Sequence, residues 1–266
     1  MDYKTLTYQV CDLCRATGQF IREQAADFSG KKVESKGLHD LVSYVDRTAE
    51  MMLINALKKD FPEAGFIAEE SGNALGEKYN WIIDPLDGTT NFVHGVPPFS
   101  ISIALKRDEV IVLGVVYEIN LDECFYAWEG GSAFLNNKKI KVSDTEKIDN
   151  SLLATGFPYN DFSRMKAYLA FFEYLMRNSR GLRRLGSAAV DLAYVACGRF
   201  EAFYEYGLNP WDVAAGAFIV QQAGGKVSTF DGSDNAIFGQ DILASNNKIH
   251  TEMLETIKEF DGLVVK

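Results

Sequence analysis

The sequence is poor in the residues that carry redox and nucleophilic chemistry. Of its 266 residues only four are cysteine and three are histidine. Cys11 and Cys14 form a C-x-x-C, with Cys124 and Cys197 far away. Leu6, Val10, Leu13, Cys14 and Ile21 recur at helical steps, however, so the pair falls inside an amphipathic helix and is read as small buried side chains. No second C-x-x-C and no histidine pair completes a zinc site, and His39, His94 and His250 have no partners at zinc-ligand spacing. No Ser-His or Cys-His signature marks a nucleophile. The acids and bases of any chemistry here are expected to be carboxylates.

Positive charge and long apolar stretches are also short. Lys and Arg number 27 against 37 Asp and Glu, a net charge of −10. That balance speaks against a nucleic-acid partner, whose phosphates are met mainly by clustered Lys and Arg. The apolar run Val110–Tyr117 spans eight residues, whereas a membrane-spanning helix needs about 20. Met1-Asp2-Tyr3-Lys4 lacks the basic-then-apolar pattern of a signal peptide. With 47% hydrophobic and 24% charged residues, the chain reads as a globular protein that meets no membrane, with a cytoplasmic location expected.

What is present is a change of period along the chain. Helices are predicted over 4–27 and 40–60, the second carried by Leu41, Val45, Ala49, Met52, Leu53 and Leu57 and stopped by Pro62. Gly65-Phe66-Ile67-Ala68 and Trp81-Ile82-Ile83 read as short strands, each ending in carboxylates. The segments 99–106, 110–117 and 124–128 form an antiparallel meander. Beyond Asp149, helices at 163–177, 187–198, 212–223 and 247–260 alternate with strands near 151–155, 201–205, 226–230 and 241–244. No linker, repeat or low-complexity tract interrupts the pattern. The expectation is an α+β fold, a single domain over 1–266 with sub-lobes at about 1–150 and 151–266.

The chemistry concentrates in Trp81-Ile82-Ile83-Asp84-Pro85-Leu86-Asp87-Gly88-Thr89-Thr90. An apolar strand ends, and Asp84 and Asp87 follow at i and i+3 around a turn stiffened by Pro85. With the Leu86 carbonyl they form a set of hard oxygens, the ligands Mg²⁺ prefers. Gly88-Thr89-Thr90 then offers backbone N–H groups at a helix start, an anion site. Glu69 and Glu70 close the preceding strand, and Asp212 stands in the first turn of a later helix. Each piece alone has a plain reading: Pro-Leu-Asp-Gly as a turn, Glu69-Glu70 as a solvated loop, Asp212 as a helix cap. Their succession at strand ends and helix starts describes cation ligands beside an anion cradle, the arrangement that holds a phosphate ester across metals.

At this point the chain resembles the inositol monophosphatases, within the Mg²⁺-dependent, Li⁺-inhibited sugar phosphatases. The resemblance is carried by Ala68-Glu69-Glu70-Ser71, by Trp81–Phe92, by Trp211-Asp212-Val213-Ala214-Ala215-Gly216 with Ala223-Gly224-Gly225, by Leu185-Gly186-Ser187-Ala188-Ala189, and by Lys36 ahead of Asp40 and Asp46. It runs from about residue 5 to 260 and implies a layered αβαβα sugar-phosphatase fold with mixed and antiparallel sheets, in a homodimer. It also implies two or three Mg²⁺ ions per site and sensitivity to lithium. Glu69, Asp84 and the Leu86 carbonyl would hold one ion; Asp84, Asp87 and Asp212 a second; a third would sit near Glu69. The resemblance makes Glu69, Asp84 and Thr89 catalytic, with Thr89 beside Glu69 orienting the attacking water. Gly88 and Thr89 would bind the phosphate through N–H groups, with Asp87 and Asp212 also facing substrate. Glu205 and Gly186, Ser187 and Ala188 would meet sugar hydroxyls, and Glu70 and Lys36 would support the site.

The substrate expected from this is a small phosphate monoester, myo-inositol monophosphate foremost. Relatives with the same motifs act on fructose 1,6-bisphosphate, 3′-phosphoadenosine phosphates, histidinol phosphate or NADP. Arg183-Arg184 beside Gly186 could attract a second anionic group, or serve as surface or interface charge. Phe157-Pro158-Tyr159-Asn160 does not decide among these substrates. A regulatory binder that kept the fold is the non-enzymatic alternative, and no metal-ligand position of the motifs has been replaced. His94, though close to the phosphate loop, is assigned no catalytic role.

Overall fold

The computed structural model describes residues 2–26, 33–35 and 41–264. The chain opens with α1 (Tyr3–Ala26), then β1 (Val33–Ser35) and β2 (Leu41–Ser43), which pair antiparallel, and α2 (Tyr44–Asp60). Next come β3 (Gly65–Ala68), β4 (Gly72–Ala74), β5 (Tyr79–Asp87), α3 (Thr89–His94), β6 (Ser100–Arg107), β7 (Val110–Glu118), β8 (Glu123–Trp128), β9 (Phe134–Leu135) and β10 (Lys138–Lys139). The second half holds β11 (Leu152–Thr155), α4 (Met165–Asn178), β12 (Gly181–Arg183), α5 (Ala188–Ala196), β13 (Ala202–Tyr206), α6 (Pro210–Gln222), β14 (Lys226–Ser228), β15 (Asp241–Ser245) and α7 (His250–Lys258).

Strands β3 to β10 form an eight-stranded sheet in the order β10-β9-β8-β7-β6-β5-β3-β4, in which only β3 and β5 run parallel. A second sheet, β12-β11-β13-β15-β14, is parallel on the β12 side and antiparallel on the β14 side. Alternation along each strand sends side chains to two layers. On β6, Ile101, Ile103 and Leu105 join the α1 and α2 core, whereas Ala104 faces the layer holding α5 and α6. On the second sheet, Phe203 and Ala244 face α5 and α6, and Tyr204 and Leu243 pack against α4 and α7. The layers therefore run αβαβα, as the resemblance implied.

The middle helical layer is compressed by small residues. A Cβ on Gly114 of β7 would lie 2.8 Å from the Ala215 carbonyl oxygen on α6, and one on Gly216 would lie 2.5 Å from the Leu192 Cβ on α5. Both glycines let backbone approach backbone or side chain where any larger residue would push the layers apart.

Several boundaries differ from the sequence-based expectation. The helix predicted from residue 40 starts at Tyr44, because Leu41-Val42-Ser43 pairs with Ser35-Glu34-Val33, a partner invisible in a local pattern. The strand predicted to end at Ile83 continues to Asp87, so Asp84 and Asp87 flank a bulge in β5 instead of a turn after it. The helix predicted from 212 starts at Pro210. The three-residue β12 was not anticipated. Cys11 and Cys14 are free and buried on α1, in agreement with their reading as core side chains.

His250 is a buried group whose charge state the fold controls. It lies between the hydroxyls of Ser228, 3.0 Å from Nε2, and Ser245, 2.8 Å from Nδ1. Burial, with Lys226 adding to it, pushes its pKa down to about 4 from the ordinary 6.5. Between those values the unfolded chain binds a proton that the native state refuses, so stability falls as pH falls through this window. Replacing His250 by Asn is expected to remove about 2 kcal/mol of the stability lost between pH 7 and pH 4.5. Urea denaturation of both proteins at the two pH values tests it, and equal losses would show that His250 does not drive the acid sensitivity.

Candidate active site

The geometry of the site starts with a parity change in β5. In a regular strand, residues three apart face opposite sides of the sheet. Here Asp84 pairs with Ser102 and Asp87 with Ser100, three steps on β5 against two on β6. One extra residue restores parity and brings both carboxylates to the same face. Pro85 occupies the irregular stretch, where no ladder N–H is needed, and the Leu86 N–H donates to Asp84 Oδ1 at 2.9 Å. Ser100 and Ser102 mark which face it is: the Ser100 hydroxyl lies 3.1 Å from that of Ser187, and Ser102 donates to the Trp211 carbonyl. Asp84 and Asp87 thus face the starts of α5 and α6.

Neighbouring elements supply the other acids. Because β3 runs parallel beside β5, with Ala68 opposite Ile83, Glu69 leaves the sheet next to Asp84. Glu50 on α2 fixes the loop that follows, accepting from the N–H groups of Glu70 at 2.9 Å and Ser71 at 2.8 Å. Asp87 Oδ2 accepts from the Ser187 hydroxyl at 2.6 Å and the Ala189 N–H at 2.7 Å, at the first turn of α5. Asp212 belongs to a capping box with Asn209, its Oδ2 accepting the Asn209 N–H at 2.6 Å. Asp212 therefore does cap a helix, and the cap points it at the other acids.

Electrostatics identifies these groups as one cluster. Burial first, then Glu69, Asp87 and Asp212, holds the Asp84 carboxyl well above the usual range. Glu69 is raised in the same way by burial, then by Asp212 and Glu70. Asp87 is pushed up to about 6 by burial, against the hydrogen bonds from Ser187 and Ala189. Asp212 is pushed up to about 7 by burial and then by Asp87. Among the described residues, no three His, Cys, Asp or Glu side chains are already drawn together as a finished metal cage. The acids interact instead in overlapping pairs with Asp84 as the hub. The donor chemistry still fits a hard divalent cation: four acidic side chains and a carbonyl supply only oxygen, and mutual repulsion among them calls for positive charge.

The cluster forms one wall of a cavity of about 320 Å³ that also takes in Gly88, Thr89, Gly186, Ser187, Ala188 and Glu205. Gly88 has φ 97° and directly precedes α3, and a Cβ there would press on the carbonyls of Pro98 and Gly186. Glu205 has its carboxyl against Gly156, where a Cβ would fall 2.0 Å from Oε2. Burial pushes Glu205 up to about 8, Arg184 opposing and Asp212 and Asp87 adding to the rise. Arg184 lies at the rim, donating to the Tyr159 hydroxyl at 3.1 Å. Arg183 is exposed and turns to the Leu182 carbonyl. The Ser187 hydroxyl is occupied by Asp87 and the Val190 N–H. The Thr89 hydroxyl contacts Asp46 at 2.8 Å and the Leu86 carbonyl at 3.1 Å. His94 is exposed at the end of α3. Lys36 lies outside the described residues.

Three acids escaped the sequence reading of roles: Asp46, Glu50 and Asp191, all buried. The signal was there. Asp46 and Glu50 stand four apart on the stripe of Ala49, Leu53 and Leu57, where an acid needs a reason to be buried. Asp191 is the sole charge in Ala188–Ala196.

Comparison with known proteins agrees with this geometry: the sequence profile of the inositol monophosphatase family matches residues 2–261. The chain belongs to the inositol monophosphatase family. It is 42% identical over 245 residues to a protein named putative Nus factor SuhB from Neisseria meningitidis serogroup B, covering 91% of this chain and 94% of that one. It is 39% identical over 244 residues to the inositol-1-monophosphatase of Mesorhizobium japonicum, covering 91% and 92%. Among solved structures, the extragenic suppressor protein suhB of Bartonella henselae superposes with a TM-score of 0.92 at 37% identity, over 96% of this chain and 99% of that one. Family membership supports phosphatase chemistry, and the names of these sequence relatives divide between inositol-1-monophosphatase and Nus factor.

The like-charged cluster gives this family member a testable thermal signature. In metal-free buffer, Asp84→Asn is expected to melt no lower than the wild type, because an Asn oxygen still accepts from Leu86 and one repelling charge is gone. Millimolar Mg²⁺ is expected to raise the wild-type melting temperature and to leave that of the variant nearly unchanged. Melting curves with and without Mg²⁺ check both; equal shifts in the two proteins would show that Asp84 is not part of an ion site.

Proposed function

We propose that this protein hydrolyses a small polyol phosphate monoester, myo-inositol monophosphate foremost, with Mg²⁺ as cofactor. One observation supports the reading: four carboxylates, Glu69, Asp84, Asp87 and Asp212, line one cavity together with the buried carboxyl of Glu205. Glu69, Asp84, the Leu86 carbonyl, Asp87 and Asp212 would hold the metal. Bound there, Mg²⁺ would acidify a water and neutralise the phosphoryl oxygens for in-line attack.

The chain's own groups do the positioning. The Thr89 hydroxyl donates a hydrogen bond to Asp46, which leaves a lone pair to accept a hydrogen bond from a water in the cavity and so hold it for attack. Asp46 is one of the acids the sequence reading left without a role; in this reading it orients Thr89, and Thr89 orients water. Gly88 and Thr89 present backbone N–H groups to the phosphate. Asp87 and Asp212 are each pinned through one oxygen by a helix start, so the other oxygen keeps a fixed direction. Glu205 accepts from a ring hydroxyl. A cytoplasmic location and a homodimer belong to the same reading.

A second reading has support from relatives' names. The Neisseria protein is called a putative Nus factor, and a regulatory binder that has given up turnover would share this fold. Phosphate release separates the two. With saturating Mg²⁺, myo-inositol 1-phosphate is expected to lead by kcat/KM over fructose 1,6-bisphosphate, 3′-phosphoadenosine 5′-phosphate, NADP and histidinol phosphate. Leadership by another ester would keep the metal site and overturn the substrate; release from none of them would favour the binder.

Two variants test the assigned roles. Asp87→Asn is expected to lower kcat by on the order of 100-fold or more, given that even partners outside the metal shell cost about 10- to 100-fold, with an unchanged circular dichroism spectrum. Activity within a few-fold of wild type would remove Asp87 from the ligand set. Thr89→Ala is expected to lower kcat by about 100-fold with KM little changed, while Thr89→Ser retains most activity, as for a group that handles a proton in the transition state. A rise in KM alone would make Thr89 a binding residue instead.

A further inference from the structure

Asp191 has no assignment in the reading above, and its position is anomalous. It stands in the first turn of α5, only 1% exposed, and lines the same cavity as Glu205 and Arg184. Its Oδ1 is buried without a hydrogen-bond partner. An acid near a helix start gains from the helix dipole, but that gain needs no burial, and Asp87 already takes the Ser187 hydroxyl and the Ala189 N–H at this end. An unpartnered buried carboxyl oxygen is costly to keep, and such groups in native proteins call for an explanation. A donor that arrives with the ligand supplies one.

We infer that Asp191 is a specificity-determining residue that accepts a hydrogen bond from a second hydroxyl of the substrate, beside the one read by Glu205. This rests on the proposal that the cavity binds a polyol phosphate. The chemistry matches on three counts. A carboxylate accepts only, and a hydroxyl is the neutral donor a polyol carries in abundance. Two acceptors, Asp191 and Glu205, line one cavity, so a ring presenting two hydroxyls can satisfy both while its phosphate stays at the Asp84 cluster. Arg184 at the rim carries the positive charge that lets two acids share the cavity. An ester without hydroxyls leaves Oδ1 unmet, which is the strongest form of discrimination available to a polar site.

The experiment compares myo-inositol 1-phosphate with p-nitrophenyl phosphate, which carries a phosphate and no hydroxyl. In Asp191→Ala, which removes the acceptor, the ratio of their kcat/KM values is expected to fall about ten-fold relative to wild type, mainly through KM for the inositol ester. An unchanged ratio, whether both esters or neither lose activity, overturns the inference and leaves the phosphatase reading standing. If wild type hydrolyses neither ester, the phosphatase reading falls, and this inference with it. Should the variant fail to fold, wild type alone decides: among singly deoxygenated inositol 1-phosphates, two hydroxyls should each be worth about ten-fold or more, and a single one would overturn the inference. A wild-type preference for histidinol phosphate over the inositol ester would also overturn it, because two acids would then be reading an ammonium group.

Discussion

Repulsion between buried carboxyls is the constraint around which the rest of this structure is organised. Asp84 lies among Glu69, Asp87 and Asp212; burial raises all four, and at Glu69, Asp84 and Asp212 neighbouring acids add to the rise. Left to themselves such groups would turn to water or take up protons. They remain in place because each is held by a different element: Glu69 by the parallel pairing of β3 with β5, Asp84 by the Leu86 N–H, Asp87 by the start of α5, and Asp212 by its capping box on α6. Three apolar cores, one on each side of and between the two sheets, supply the stability that lets the fold tolerate this strain.

The two helix starts act structurally and chemically at once. An acid at a helix start is favoured by the dipole and by unpaired N–H groups. Asp87 and Asp212 satisfy that local need with one oxygen and keep the second in a direction set by the helix. The plain reading of Asp212 as a cap is therefore compatible with its proposed reading as a ligand, because the cap occupies one oxygen of the carboxyl. The compressed middle layer completes the arrangement. Gly114 against Ala215 and Gly216 against Leu192 draw α5 and α6 onto the sheet, so that residues from α5, α6 and β5 come to one cavity.

The acids of that cavity share some neighbours. Arg184 opposes the rise of Asp87, Asp191 and Glu205 alike, whereas at Asp84 the other acids add to it. In the proposed reading this net-acidic pocket holds a cation at the Asp84 cluster and takes hydroxyls at Glu205 and Asp191.

Much of this was legible in the linear sequence, and the reason is local. Asp84, Pro85, Leu86, Asp87, Gly88 and Thr89 are consecutive, so their chemistry survives without knowledge of the fold. Periodicity found the major helices and the meander because hydrophobic spacing reports which face is buried. What the sequence could not contain was parity and partnership. By spacing alone Asp84 and Asp87 belong on opposite faces of a strand; only pairing with β6 creates the bulge that unites them. Leu41–Ser43 was read as helix because its partner, β1, is a separate segment. Asp46 reaches Thr89 across 43 positions, and Asp191 meets Glu205 only because α5 packs over β13. Residue identity and local period are properties of the chain. Which acids share a dielectric, and which of them is left without a partner, are decided by tertiary packing, because burial and distance exist only once the layers have closed.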